Sequence, residues 1–312
     1  MQDISIAYII FNRPRHTRET FEAIRAQRPA KLFIIADGPR PEHPTDTERC
    51  RAVREIVEHV DWPCEVHRNY AYQNMGLKRR ISSGLNWVFD AVETAIILED
   101  DCLPHPDFFT FCQNLLERYK DDELIWVVTG NNYQRGKRRG DASYYFSKFG
   151  HCWGWATWRR AWRQFDGELS FWPGWKDTPD WRHKMPDPFE QRYWIDILDR
   201  VHQNKINSWA YAWLATLWYH GALTATPRVN LVTNIGIGPD STHTHALEDE
   251  PGTPVKPLGP IAHPIKIEQN LVADQFIFDD YLQGKNLKFP RKHLAFPRRV
   301  KNKIVRILKG LS

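Results

Sequence analysis

The chain has 312 residues, 42% of them apolar and 26% charged, and a formal net charge of +5. That balance excludes a disordered chain, and no apolar run reaches the roughly 20 residues that span a bilayer. The charge is uneven: residues 285–312 hold ten Lys/Arg and no acid, which leaves the first 284 at a formal −5. A mildly acidic body with a basic tail argues against nucleic acid as a partner and for a local electrostatic anchor.

Residues 4–11 read as a mostly apolar strand ending at Asn12-Arg13-Pro14, with a helix behind it for which Thr17 is the expected N-cap. Residues 32–36 read as a second buried strand, broken by Asp37-Gly38-Pro39. Thr45-Asp46-Thr47-Glu48 is a capping-box pattern that starts the next helix. Residues 64–67 give a short third strand, and residues 75–91 an amphipathic helix through Leu77, Ile81, Leu85, Val88 and Phe89. The strand at 95–98 then runs into Glu99-Asp100-Asp101, with Pro104 two residues beyond Cys102. Strand alternating with helix at this spacing predicts an α/β fold with a mostly parallel sheet flanked by helices. Ligands on such sheets bind outside the strand C-termini, where Asn12, Asp37 and Asp101 all fall.

A further helix over about 107–119 and a strand at 125–129 follow, then the basic loop Arg135-Gly136-Lys137-Arg138-Arg139-Gly140. From Trp153 to Trp218 the chain carries eleven of its fourteen tryptophans. Indole faces stack on sugar rings, so this half suits a carbohydrate acceptor, although Trp155, Trp158 and Trp162 stand at helical spacing and read as core. Residues 246–266 contain five prolines and read as an irregular connection or a linker. In the tail, Val300, Ile304, Ile307, Leu308 and Leu311 share one helical face amid Lys and Arg, the pattern of a basic helix on an anionic membrane. Five cysteines, odd in number and without a CxxC pair, fit a reduced compartment and neither a zinc site nor a disulfide framework. The start, Met-Gln-Asp and then a strand, suggests no leader, so the expected location is cytoplasmic, peripheral on the inner membrane face.

Three adjacent carboxylates at a strand end repel one another, so a cation is expected beside them. A hard divalent ion, Mn2+ or Mg2+, held by one or two carboxylates keeps positions open for substrate phosphates. No Walker A motif, kinase Gly-rich loop or dinucleotide fingerprint is present, and the first turn lacks the Gly-rich loop of sugar-1-phosphate nucleotidyltransferases. A nucleotide-diphosphate-sugar donor remains.

The residues from 4 to 245 resemble GT-A glycosyltransferases. The likeness runs through Phe11-Asn12-Arg13-Pro14, Asp37-Gly38, Asn74-Met75-Gly76-Leu77 and Glu99-Asp100-Asp101. The Glu-Asp-Asp form is similar to that of N-acetylglucosaminyltransferase I. The second half resembles bacterial surface-polysaccharide transferases through Trp153-Gly154-Trp155-Ala156-Thr157-Trp158, the run 230–236 and Thr242-His243-Thr244. This resemblance implies a donor half at 1–130, a Trp-rich acceptor half at 131–245, a Pro-rich connection and helix at 246–284 and a basic tail at 285–312. It implies Asp101 as a metal ligand. His243 or His245, alternating after a Gly-rich run, reads as an additional metal ligand or a phosphate contact. Glu99 and Asp100 would contact the donor sugar or ribose, Asp37 the base or ribose, and Phe11, Asn12, Arg13 and Asn74 would line the nucleotide pocket. Lys78 or Arg79 could meet a phosphate or stand as exposed helix charges.

An inverting transfer needs a general base. Several relatives read Trp-Asp-Tyr-Gln-Trp where this chain has Trp209-Ala210-Tyr211-Ala212-Trp213, so the expected carboxylate is missing. Asp240, Asp196 and Asp199 are the replacements considered, Asp240 first because it follows a Gly-rich run. The implied acceptor is a surface glycan or a lipid-linked sugar. The rival readings are a catalytically silent carbohydrate-binding protein and a nucleotidyltransferase.

Overall fold

A computed structural model describes residues 4–236 and 253–288. The elements run β1 (Ser5–Ile10), α1 (Pro14–Gln27), β2 (Lys31–Ala36), α2 (Asp46–Glu58), β3 (Glu65–Tyr70), α3 (Leu77–Ala91), β4 (Thr94–Glu99), β5 (Cys102–Pro104), α4 (Pro106–Arg118) and β6 (Ile125–Thr129). Then come β7 (Tyr144–Ser147), β8 (Trp155–Trp158), α5 (Arg159–Trp162), α6 (Trp172–Trp175), α7 (Pro179–Lys184), α8 (Pro188–His202), α9 (Trp209–His220), β9 (Leu223–Pro227) and β10 (Val232–Asn234). After the undescribed segment follow α10 (Leu271–Phe276), a π-helical turn (Ile277–Tyr281) and α11 (Lys285–Lys288).

Eight strands form one sheet in the order β3-β2-β1-β4-β8-β6-β9-β7, with β10 and β5 paired as a separate antiparallel ribbon. Strands β3, β2, β1 and β4 are parallel. β8 is antiparallel to both β4 and β6, so β6 again points the same way as β4. Side chains alternate across a strand. Ile6, Tyr8 and Ile10 of β1 therefore enter the core under α1, α2 and α4, while Ala7 and Ile9 enter the core under α3, α5 and α9. Helices cover both faces, giving a Rossmann-like α/β fold whose parallel strand ends share one edge. Because β8 sits between β4 and β6, the N-terminal strands and those beyond residue 130 share a single sheet.

Several local expectations need correction. Trp155 and Trp158 lie on a strand, and only the stretch reaching Trp162 is helical; all three are core. The first helix starts at Pro14, which puts Thr17 inside it, with its hydroxyl donating to the Arg13 carbonyl. The second helix starts as the capping-box pattern predicts, yet Thr45 makes no capping bond, and Asp46 turns instead to Asn12 and Arg40. The Pro-rich connection packs where it is described: Ser143 bonds Ala262 and Pro260, and Leu258 N–H donates to Asp107. No described helix is long and apolar enough to cross a membrane. Of the basic tail only its start is described, where Lys288 pairs with Asp187 and Asp279.

Candidate functional site

β4 is buried between β1 and β8, and it delivers Glu99 to the edge where the parallel strands end. Asp100 turns inward: its carboxylate accepts the Phe11 N–H at 3.2 Å and its carbonyl accepts the Thr20 hydroxyl at 2.9 Å. Asp101 turns outward and accepts from Arg13 Nη1 at 2.7 Å. The chain returns over this pair after β10, where Ile235 N–H donates to the Asp101 carbonyl at 2.8 Å. A Cβ on Gly236 would stand 2.4 Å from Asp101 Oδ2 and 2.8 Å from Arg13 Nη1, so a side chain there would fill the space.

Burial, then the charges of Asp101 and Asp100, push the Glu99 carboxyl well above the usual carboxylate range, with Arg13 opposing. Asp100 is raised by burial and by Asp101 in the same way. Among the described residues one guanidinium stands beside three crowded carboxyls, whose mutual repulsion a further cation would relieve. Among the described residues no three His, Cys, Asp or Glu are grouped to hold a metal by themselves. The arrangement is no closed protein cage. The outward Asp101 carboxylate is a donor of the kind that a hard divalent ion takes.

At the neighbouring strand ends, several residues chosen from sequence shape the loops. Asn12 donates to Asp46 at 2.7 Å, and Arg40 Nε donates to the same carboxylate at 2.6 Å. Asp37 Oδ1 accepts the N–H groups of Gly38 and Met75, at 2.8 and 2.9 Å. Asn74 donates to the Gly38 carbonyl at 2.9 Å and accepts the Gly76 N–H. A Cβ on Gly38 would come within 2.4 Å of the Gln73 backbone, which explains the glycine. Arg40, which sequence reasoning missed, lies over the Phe11 ring at 5.3 Å. Its signal was its position two residues past the Asp37-Gly38 break.

Other candidates stand apart. Lys78 pairs with Glu168 at 2.8 Å, and Arg79 is exposed. Asp199 accepts from the Trp172 indole at 2.8 Å and from Lys176 at 2.9 Å, an anchoring role within the helical layer. Asp196 is 72% exposed and faces Arg200 on its own helix. Ala210 packs on the tryptophan core and offers no proton acceptor. Asp240, His243 and His245 lie outside the described residues.

The aromatic half corrects the sequence reading most. Ten of the eleven tryptophans from 153 to 218 are buried, so they build core and offer no stacking surface. Trp153 alone keeps partial exposure, beside Cys152, whose thiol burial and the charges of Glu99 and Asp101 push up. Next to Trp153 stand Tyr133 and His151, and Tyr281 of the π-helical turn stacks on Tyr133 at 4.1 Å. Burial lowers the His151 imidazole to about 3, so it is neutral at physiological pH. Neither Tyr281 nor Tyr133 carried a motif in the sequence.

The fold and site define an α/β protein with a carboxylate turn at the C-terminal edge of its parallel strands. No family model matches the chain, and no curated protein does. Among solved structures it is similar to a mannosyltransferase from Pyrobaculum calidifontis in complex with GDP-Man and Mn2+, at 15% identity and TM-score 0.35, over 51% of this chain and 46% of that one. A 4-diphosphocytidyl-2C-methyl-D-erythritol synthase from Anaerococcus prevotii matches at 10% identity and TM-score 0.32, over 52% and 75% of the two chains. A UTP-bound UGPase from Acinetobacter baumannii matches at 9% and 0.33, over 72% and 85%. The chain thus spans less than half the length of the first of these, and overlaps of this extent assign no activity.

Proposed function

We propose that the protein is a metal-dependent GT-A glycosyltransferase that moves a sugar from a nucleotide diphosphate to a glycan or lipid-linked hydroxyl. The observation that carries this reading is the acidic turn: three carboxylates against one guanidinium, at the edge where parallel strands end. A bound divalent ion would neutralise charge developing on the leaving diphosphate. Asp101 and Glu99 are the residues to hold it, and Arg13 is the cation to exchange Asp101 for a phosphate oxygen. Phe11 and Arg40 flank the first turn as a face for the base, and Asp37 retains one carboxylate oxygen for the ribose.

In an inverting transfer the acceptor oxygen attacks the anomeric carbon while the bond from that carbon to the phosphate oxygen breaks. The electron pair leaves with the nucleoside diphosphate, and a base takes the hydroxyl proton. Asp199 is held by Trp172 and Lys176 and Asp196 is an exposed helix carboxylate facing Arg200, and Asp240 is the proposed base. His243 or His245 is a proposed additional ligand to the ion, and the tail a proposed anchor on an anionic cytoplasmic membrane face.

Asp101→Ala tests the reading. Calorimetry with a panel of nucleotide sugars is expected to show Mn2+-dependent binding to the native chain and none to the variant. Unchanged affinity in the variant would remove the metal assignment. Release of nucleoside diphosphate on turnover separates a transferase from a nucleotidyltransferase, which releases pyrophosphate, and from a silent binder, which releases neither.

A further inference from the structure

The loop that leaves β6 carries Arg135, Lys137, Arg138 and Arg139 within five residues and no acid among them. Arg135, Lys137 and Arg138 are exposed and Arg139 is half-buried. Because β6 points the same way as β4, this loop emerges on the edge that carries the acidic turn. Its root is held by buried amides. Asn132 donates to the Pro227 carbonyl at 2.5 Å, Asn131 to Val232 at 3.3 Å and Gln134 to Ala273 at 3.1 Å. A tip carried on such a root has a position set by the fold, unlike a solvated run of lysines and arginines.

The cations are also arranged. Lys137 Nζ lies 4.1 Å from the centroid of the Phe276 ring, with Arg139 over the same ring at 5.4 Å, and Arg139 Nε donates to Gln134 at 2.6 Å. Arg138 Nε donates to the Gly140 carbonyl at 2.9 Å. Arg138 pairs at 3.3 Å with Asp141, which is fully exposed. Cations held in place lose less freedom when they take up an anion. From the root inward, Asn131 accepts the Trp153 N–H at 3.1 Å, and Trp153 adjoins Cys152, which feels the charges of Glu99 and Asp101. The aromatic group of Tyr133, His151, Trp153 and Tyr281 thus stands at the foot of the loop, on the way to the carboxylates.

We propose that the loop 135–139 is a phosphate-binding site that receives the anionic part of the acceptor, while the aromatic group at its foot receives the sugar to be extended. Its assignment to the acceptor rests on the transferase reading; its capacity to bind phosphate does not. Guanidinium and ammonium groups form charge-assisted hydrogen bonds to phosphate oxygens, and on a mildly acidic body a clustered basic loop is a local attractor for such a ligand. The phosphate could sit on a lipid or on a soluble glycan, and both present the same oxygens.

The test compares the full chain with a Lys137→Ser/Arg138→Ser variant, in chelator so that no metal assists. Inorganic pyrophosphate is titrated calorimetrically, and flotation is measured with vesicles of equimolar phosphatidylglycerol and phosphatidylcholine. The variant is expected to bind pyrophosphate roughly tenfold more weakly with its melting temperature unchanged. Weakening in both arms assigns the phosphate to a lipid, and weakening in the pyrophosphate arm alone assigns it to a soluble acceptor. Equal pyrophosphate affinity in the two chains overturns the proposal. Mn2+-dependent nucleotide-sugar binding, measured in parallel, should survive in the variant. Its absence from the native chain would overturn the transferase reading and leave the phosphate result standing.

Discussion

The two halves of the sheet solve opposite problems with their most conspicuous residues. Around β8 and α9 the large aromatic side chains are packed inward: Trp155, Trp162, Trp209 and Trp213 touch one another with ring centroids between 5.2 and 6.4 Å. Around β1, β2 and β4 the polar residues at strand ends bind one another and the backbone, so that only a few remain to meet a ligand. The comparison separates abundance from availability. The many tryptophans from 153 to 218 leave one partly exposed, and the polar turn residues of β1 and β2 are largely taken up by one another and by the backbone.

The sharpest way to break this comparison is to hollow the aromatic side. Trp213→Ala should destabilise by about 3–5 kcal/mol, as a large core truncation does, measured by chemical denaturation. Its indole N–H has no hydrogen-bond partner among the described residues, so Trp213→Phe should cost far less, because no bond is lost. A small effect of the alanine variant would mean that this half is not core and that its rings are free to stack on ligands.

The polar strand ends around β1 and β2 are predicted to respond through charge. Burial alone would raise the Asp46 carboxyl, but hydrogen bonds from the Arg40 side chain, the Asn12 amide and the Arg40 N–H hold it at about 2. A carboxylate held below its unfolded value stabilises the fold above that value. The stabilisation is lost as pH falls from about 4 toward 2, and is worth ~2 kcal/mol where fully present. Asp46→Asn should therefore lower stability at neutral pH by that order and flatten the acid limb of the denaturation profile. An unchanged acid limb would show that the Asn12–Asp46–Arg40 tie does not hold the first turn.

Much of the scaffold was legible because it rests on period and position. Apolar runs bounded by Asn12-Arg13-Pro14 and Asp37-Gly38-Pro39 are buried parallel strands with their breaks at one edge, and the acidic turn lies where its strand ends. What the sequence hid is partner choice. Nothing in the spacing shows that Asn12 would be taken by Asp46, that Asn74 would bond the Gly38 carbonyl, or that Arg13 would reach Asp101 across 88 residues. Composition misled for tryptophan because an indole serves a core and a sugar face equally well, and only burial distinguishes them. The Tyr133–Tyr281 stack was invisible for a similar reason, since it joins the foot of one loop to a π-helical turn almost 150 residues later.

The finest discrimination between scaffold and site comes from Gly236. Its backbone φ lies outside the left-handed region, so alanine is not excluded by conformation. The obstacle is the 2.4 Å approach of a Cβ to Asp101 Oδ2, with Arg13 Nη1 at 2.8 Å. Those two ends belong to partly exposed side chains, 16% and 21% accessible, and can swing away, but the Asp101 Cβ, also 2.8 Å from the added methyl, is fixed to its backbone. Gly236→Ala should therefore lower stability by roughly 1 kcal/mol, the low end of overpacking, as the turn after β10 gives way. If Asp101 holds the ion as proposed, the substitution should weaken Mn2+-dependent nucleotide-sugar binding roughly tenfold, because a ligand's distance to the ion is fixed within ~0.2 Å. A variant that binds the donor as the native chain does, with Asp101 displaced, would place the donor's diphosphate elsewhere on the edge, while a variant that fails to fold would make Gly236 part of the scaffold.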